Sequence, residues 1–101
     1  MIARTWQGEA TRQDAAKYLH HLQTSVLPEL QGIPGFCGAY VLRKRSQKGF
    51  VFTIMTLWQS MGSVQLFAGQ DSARAVLPPQ AKALLLRYDE MVSHYEVLSA
   101  P

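Results

Sequence analysis

Only one cysteine, Cys37, occurs in the 101 residues, so no internal disulfide can form and the chain suits a reducing compartment. No apolar run approaches the roughly 20 residues of a membrane-spanning helix. The first residues, with Arg4, Gln7 and Glu9, lack the apolar core of a signal peptide. The expectation is a cytoplasmic protein without a membrane partner. No GxSxG elbow, Walker loop or GxGxxG fingerprint is present, which leaves hydrolase, P-loop and dinucleotide-binding readings without support. CxxC and HExxH runs are missing too. His20 and His21 are neighbours about 100° apart on a helix, so they cannot both face one ion. His94 and Glu96 share a strand face but have no evident third ligand. No metal and no cofactor is therefore expected.

Charge is also sparse. The net charge is +3, and much of it sits at Arg43, Lys44, Arg45 and Lys48, which straddle a turn and read as a solvated hairpin tip. Without interleaved aromatic residues or a strongly basic face, nucleic acid is not an expected partner. What the chain does have is apolar content: 48% of residues are hydrophobic and 17% charged, the composition of one folded domain spanning residues 1–101. The stretch from Phe50 to Trp58, Phe-Val-Phe-Thr-Ile-Met-Thr-Leu-Trp, is β-branched or aromatic at almost every position. Such a strand is buried on both faces, and a short chain needs something to cover the second one. A second copy of the protein is the economical cover, so a homodimer is expected.

The remaining elements follow from local signals. Ile2 to Gly8 reads as a strand, and Thr11 with Asp14 three residues later forms a capping box that opens a helix. Ala15, Tyr18, Leu19, Leu22 and Val26 make its apolar stripe. Pro28 lies near the end of that helix, and Gly32 to Gly35 forms a turn before a strand from Phe36 to Arg45. Gln47, Lys48 and Gly49 supply a hairpin reversal into the Phe50 strand. Ser60 caps a short helix that Gly69 ends. Pro78 and Pro79 open another helix, with Ala81, Leu84, Leu85 and Tyr88 on one side. Met91 to Leu98 closes the chain as a strand that places His94 beside Val92, Glu96 and Leu98.

This βαββαβ order predicts an α+β, ferredoxin-like fold with a four-stranded antiparallel sheet and helices on one face. Three stretches carry a resemblance: Ile33-Pro34-Gly35-Phe36, the join Trp58-Gln59-Ser60 with Phe67-Ala68-Gly69 behind it, and His94-Tyr95-Glu96-Val97. In these the chain resembles the antibiotic biosynthesis monooxygenase type of the dimeric α/β-barrel superfamily. The resemblance implies a homodimer with a ligand cavity between each protomer's sheet and helices. It also implies cofactor-independent oxidation of a small quinol, phenol or polyketide-like compound. The chain departs from that pattern in having no asparagine, the residue those enzymes use. Haem opening is not implied, because the branch's tryptophan and histidine positions fall on Phe67 and Leu77. The histidines of the quinol-oxidising branch fall on Phe67 and Ser72.

Among polar candidates His94 stands first, as an acceptor of a proton from a phenol or enol whose anion then passes an electron to oxygen. The alternative is a structural histidine bonded to a backbone carbonyl or to Glu96. Arg4, Trp6, Tyr40, Trp58, Phe67 and Tyr95 are the candidate substrate-binding residues, the rings as walls for a flat ligand and Arg4 as a countercharge. Tyr88 belongs with the rings, and Arg74 is placed near a cavity mouth or in solvent. For the rings the alternative is plain core packing. For the whole protein it is a non-catalytic homodimer that binds a small apolar ligand. Cys37 reads as a small buried hydrophobe.

Overall fold

The computed structural model describes residues 1–101. Strand β1 runs over Ile2–Thr11, β2 over Phe36–Arg45 and β3 over Gly49–Trp58. Two short strands, β4 (Arg87–Tyr88) and β5 (Ser93–Glu96), both pair with β1. The sheet order is β2-β3-β1-β4, all antiparallel, with β5 continuing the β4 position along β1. This is the ferredoxin-like arrangement expected from the sequence, with its fourth strand split into two pieces.

Thr11 ends β1 and caps the first helix, its Oγ1 accepting from the Asp14 amide at 3.2 Å. Helix α1 (Arg12–His21) passes through a π-helical turn, Leu22–Val26, into α2 (Leu27–Gln31). The helical path therefore continues past Pro28. Proline at that position cannot donate to the carbonyl four residues back, and a wider turn absorbs the loss. Ala15, Tyr18 and Leu22 from this path are buried against Trp6, Ala10 and Phe52 of the sheet. Ser60 caps α3 (Met61–Ala68), accepting from the Ser63 amide at 3.2 Å, and Gly69 ends it at φ 77°. A second cluster of Leu30, Trp58 and Val64 fills the space beneath α2 and α3.

Two expectations for the C-terminal third are corrected. The helix from Pro79 toward Tyr88 is only four residues long, α4 (Pro79–Lys82). Leu84, Leu85 and Tyr88 still pack on the core, but the open edge of β1 competes for the backbone. The Leu86 amide donates to Glu9 O at 2.7 Å and the Asp89 amide to Gln7 O at 2.9 Å. The expected strand from Met91 to Leu98 is reduced to Ser93–Glu96, because residues before it pair elsewhere: the Val92 amide donates to Ala73 O at 2.7 Å. Cys37 is also corrected, being exposed. It lies where the β2–β3 register shifts between Phe36 and Gly38, and such a bulge re-aims a side chain.

Candidate functional site

Strand alternation divides the sheet residues into two sets. Arg4 pairs with Thr56 and His94, Trp6 with Ile54, and Gly8 with Phe52, and this set faces the helices. Thr5 pairs with Met55 and Ser93, and Ala3 with Leu57 and Tyr95, while Tyr40 and Leu42 pair with Met55 and Thr53. That set lies on the outer face. Between the inner face and the helices is a cavity of ≈ 80 Å³. Arg4, Trp6 and Ile54 form its floor, Tyr18, His21 and Leu22 one side, and the segment Ala75–Pro78 its cover.

Among the candidate binding residues, Arg4, Trp6 and Phe67 line this cavity. Tyr40 and Tyr95 do not, since their positions in the two-residue repeat turn them outward, where they are 58% and 56% exposed. Trp58 is on the inner face but wholly buried, with Phe36 edge-on at 5.3 Å and Phe67 stacked at 5.8 Å. It supports Phe67 from behind and does not reach the cavity. Tyr88 likewise belongs to the packing around the first core cluster. Arg74 is exposed and paired with Asp71 at 3.1 Å, while its carbonyl accepts from Arg4.

Arg4 organises the polar end. It is 5% exposed; Nη1 donates to Ser72 O and lies 2.9 Å from His94 Nε2, and Nη2 donates to Arg74 O at 3.1 Å. Its Cζ stands 5.8 Å from the Phe67 ring centre, within cation–π range. Burial lowers the Arg4 pKa from its ordinary value, yet a guanidinium stays charged in any protein. His94 therefore receives the Arg4 hydrogen bond through a neutral ring, with its proton on Nδ1. Its pKa is lowered, first by burial and then by the Arg4 charge. The structural alternative for His94 is thus altered in its partner, from Glu96 or a carbonyl to Arg4.

That arrangement gives a pH dependence. With its folded-state pKa below the unfolded value of about 6.5, His94 takes up a proton more readily in the unfolded chain. Its contribution is fully present above about pH 6.5 and is lost as pH falls below that value. The slope contributed is at most about 1.4 kcal/mol per pH unit. Urea unfolding of wild type and His94→Gln at several pH values between 7 and about 5 measures it. A difference between the two that does not change with pH would refute this assignment.

Two cavity residues escaped the sequence reading. Tyr18 reads as one more apolar-stripe residue, but burial raises its phenol pKa and keeps it a neutral donor. His21 also lines the cavity, and its Nε2 is buried without a hydrogen-bond partner. The signal available was its helical spacing from Tyr18, three residues on. Nowhere do three His, Cys, Asp or Glu side chains converge as metal ligands.

No protein-family model and no curated protein sequence matches the chain. Solved structures do. A proposed antibiotic biosynthesis monooxygenase from Caulobacter crescentus is 13% identical, covering 97% of this chain and 90% of its own, at a TM-score of 0.73. A monooxygenase from Streptomyces coelicolor in complex with nanaomycin D is 15% identical, covering 99% and 89%, at a TM-score of 0.70. The chain has the fold of the antibiotic biosynthesis monooxygenase-type structures. A MhuD variant with two manganese protoporphyrin IX molecules per active site shares that fold, at 19% identity, 100% and 98% coverage and a TM-score of 0.67. This monooxygenase-like scaffold places the cavity between sheet and helices, and no helix is long and apolar enough to cross a membrane.

Proposed function

We propose that this protein is a cofactor-independent, monooxygenase-like protein acting on a small aromatic quinol, phenol or polyketide-like compound. The observation that carries the reading is the cavity itself: ring and aliphatic walls from Trp6, Tyr18, Phe67 and Ile54, with one buried cation, Arg4. Apolar walls with a few convergent polar groups are the usual design of a small-molecule site. Size narrows the ligand. The ≈ 80 Å³ available is about half of the ~150 Å³ that takes up benzene, and well below the ~300–1,000 Å³ of larger ligand pockets. One ring fits after a small shift of the Ala75–Pro78 cover, and a fused polyketide-like system requires that cover to open.

The chemistry needs an electron-rich anion. A phenol or enol that loses its proton passes electrons to dioxygen. One oxygen atom then replaces hydrogen on the ring carbon as a carbonyl, and the other takes up the proton released from that C–H and the one lost on ionisation and leaves as water, with the substrate as the only reductant. Arg4 favours the anion electrostatically. His94 acts through Arg4, since its Nε2 already faces the guanidinium. Oxygen uptake with a panel of quinols, anthrones and polyketide-like phenols tests the reading. Uptake by wild type that falls at least about tenfold in Arg4→Met and declines in His94→Ala is expected. No uptake with any compound counts against catalysis.

A second reading, a ligand-binding homodimer without turnover, is favoured by one specific observation. The Arg4 contact occupies the His94 Nε2 lone pair, leaving His21 as the one histidine in the cavity wall. Both readings include pairing through the outer sheet face with a second copy, and a reducing, cytoplasmic setting that suits the free thiol of Cys37.

A further inference from the structure

Three ion pairs occur in the protein, Lys17–Asp14, Arg74–Asp71 and Arg87–Glu9. None involves Arg4. A guanidinium carries five N–H donors. Those of Arg4 that are engaged meet two backbone carbonyls and one neutral imidazole. These acceptors satisfy hydrogen bonds without cancelling the charge. A buried charge that lacks a counter-ion costs several kcal/mol, so a fold that keeps one at the wall of a cavity keeps it for something that enters the cavity. Two N–H groups remain after the three contacts are counted against five.

The neighbours of Arg4 hold it in place. Ser72 and Arg74 fix both terminal nitrogens from the residues leading into the cover, His94 fixes Nη1 from β5, and the Phe67 ring faces the guanidinium. A neutral His94 is needed for this, because an imidazolium has no lone pair to offer. Further along the wall, His21 Nε2 is the one buried side-chain polar atom in the protein without a partner.

We propose that the ligand binds as a ring-borne oxyanion, a phenolate or enolate, on the two free N–H groups of Arg4, with His94 as the residue that positions the guanidinium. The inference rests on the aromatic-cavity reading and specifies its ligand as the ionised form. Arg4 thereby selects the ionisation state from which electrons pass to oxygen, and the cavity discriminates against uncharged rings of the same shape. His21 Nε2 remains available to a second polar substituent on the ring.

Para-nitrophenol tests this, because its phenolate absorbs visible light and its neutral form does not, with nitrobenzene as an uncharged probe of similar size. Wild type is expected to bind the phenolate about tenfold more tightly than the phenol, so that the bound compound ionises about one pH unit lower than the free one. Arg4→Met removes that preference. His94→Leu weakens the preference several-fold. His94→Gln, whose amide oxygen can accept from Arg4, restores most of it, which a purely structural histidine would not require. Para-nitrophenol bound to wild type with no change in its ionisation overturns the inference and leaves the aromatic cavity standing, and this arm needs no variant. Binding of neither probe overturns the aromatic cavity and the inference with it.

Discussion

Replacing Trp58 by alanine should lower the free energy of unfolding by about 3–5 kcal/mol, the range for removing a large aromatic side chain from a packed core. The side chain is fully buried, edge-on to Phe36 and stacked on Phe67. Leu30 and Val64 complete the cluster. Its Nε1–H donates to Thr56 Oγ1 at 2.8 Å, so the truncation also strips Thr56, a cavity residue, of its partner. Against a total stability of ~5–15 kcal/mol for a domain, this loss is from about a fifth to all of it. Trp58→Phe keeps a ring in the pile and should cost about 1–3 kcal/mol. Urea unfolding checks both, and a loss below about 1 kcal/mol for Trp58→Ala would mean the ring is not the centre of that cluster.

A lysine at Leu42 should convert the proposed dimer into monomers. The outer sheet face presents Tyr40, Leu42 and Tyr95, at 58%, 50% and 56% exposure, beside Met55 and Leu57 of the central β3. Several large exposed apolar side chains on one face are the mark of an interaction surface, and a self-complementary face closes as a two-fold dimer. Burying an unpaired ammonium in this face should raise the dimer dissociation constant at least about a hundredfold. Leu42 is half exposed in the protomer, so the folded chain tolerates the change and circular dichroism should be unaltered. Sedimentation velocity at micromolar concentration reads the result. A wild type that is already monomeric refutes the interface, and a Leu42→Lys protein that stays dimeric moves it to another surface.

Most of the fold was legible because its signals are local. Thr11 and Ser60 are caps whose side chains have one good use, and the apolar run of β3 has few other interpretations. The C-terminal third was less legible because two elements compete there for one backbone. The spacing of Ala81, Leu84, Leu85 and Tyr88 suits a helix, but the same residues can lie on the core from an irregular segment. The unpaired carbonyls of Gln7 and Glu9 draw in the amides of Leu86 and Asp89. A sheet edge created by residues near the start of the chain leaves no mark near its end.

The site divides in the same way. Strand period puts Arg4 with Trp6 on one face of β1 and His94 with Val92 on one face of the last strand, because alternation is rigid, but that the two faces coincide follows only from the register of β5 on β1. The period also assigns Tyr40 and Tyr95 to the opposite face, but only once the register with Met55 and Ala3 is known. The Arg4–His94 contact joins residues 90 positions apart, and a pairing at that separation depends on β1 and β5 meeting in one particular register. The buried, unpaired state of His21 depends on packing from the cover, which has no periodicity of its own.

The cover also sets how a ligand is admitted. The Ala75 amide donates to Glu90 O at 2.8 Å and the Val92 amide to Ala73 O at 2.7 Å, while Arg4 holds the Ser72 and Arg74 carbonyls from inside. The residues leading into the cover, Ser72 to Ala75, are therefore held by four hydrogen bonds, the two from backbone amides with a net worth of about 1 kcal/mol each and the two from the charged guanidinium about 1.5–3 kcal/mol each. Releasing all four together costs about 5–8 kcal/mol, so a fully released cover is rare. A single ring that needs only a small shift of the cover leaves these bonds in place, whereas a fused ring system that needs them broken enters by a local unfolding event, which hydrogen exchange at the Ala75 and Val92 amides reads.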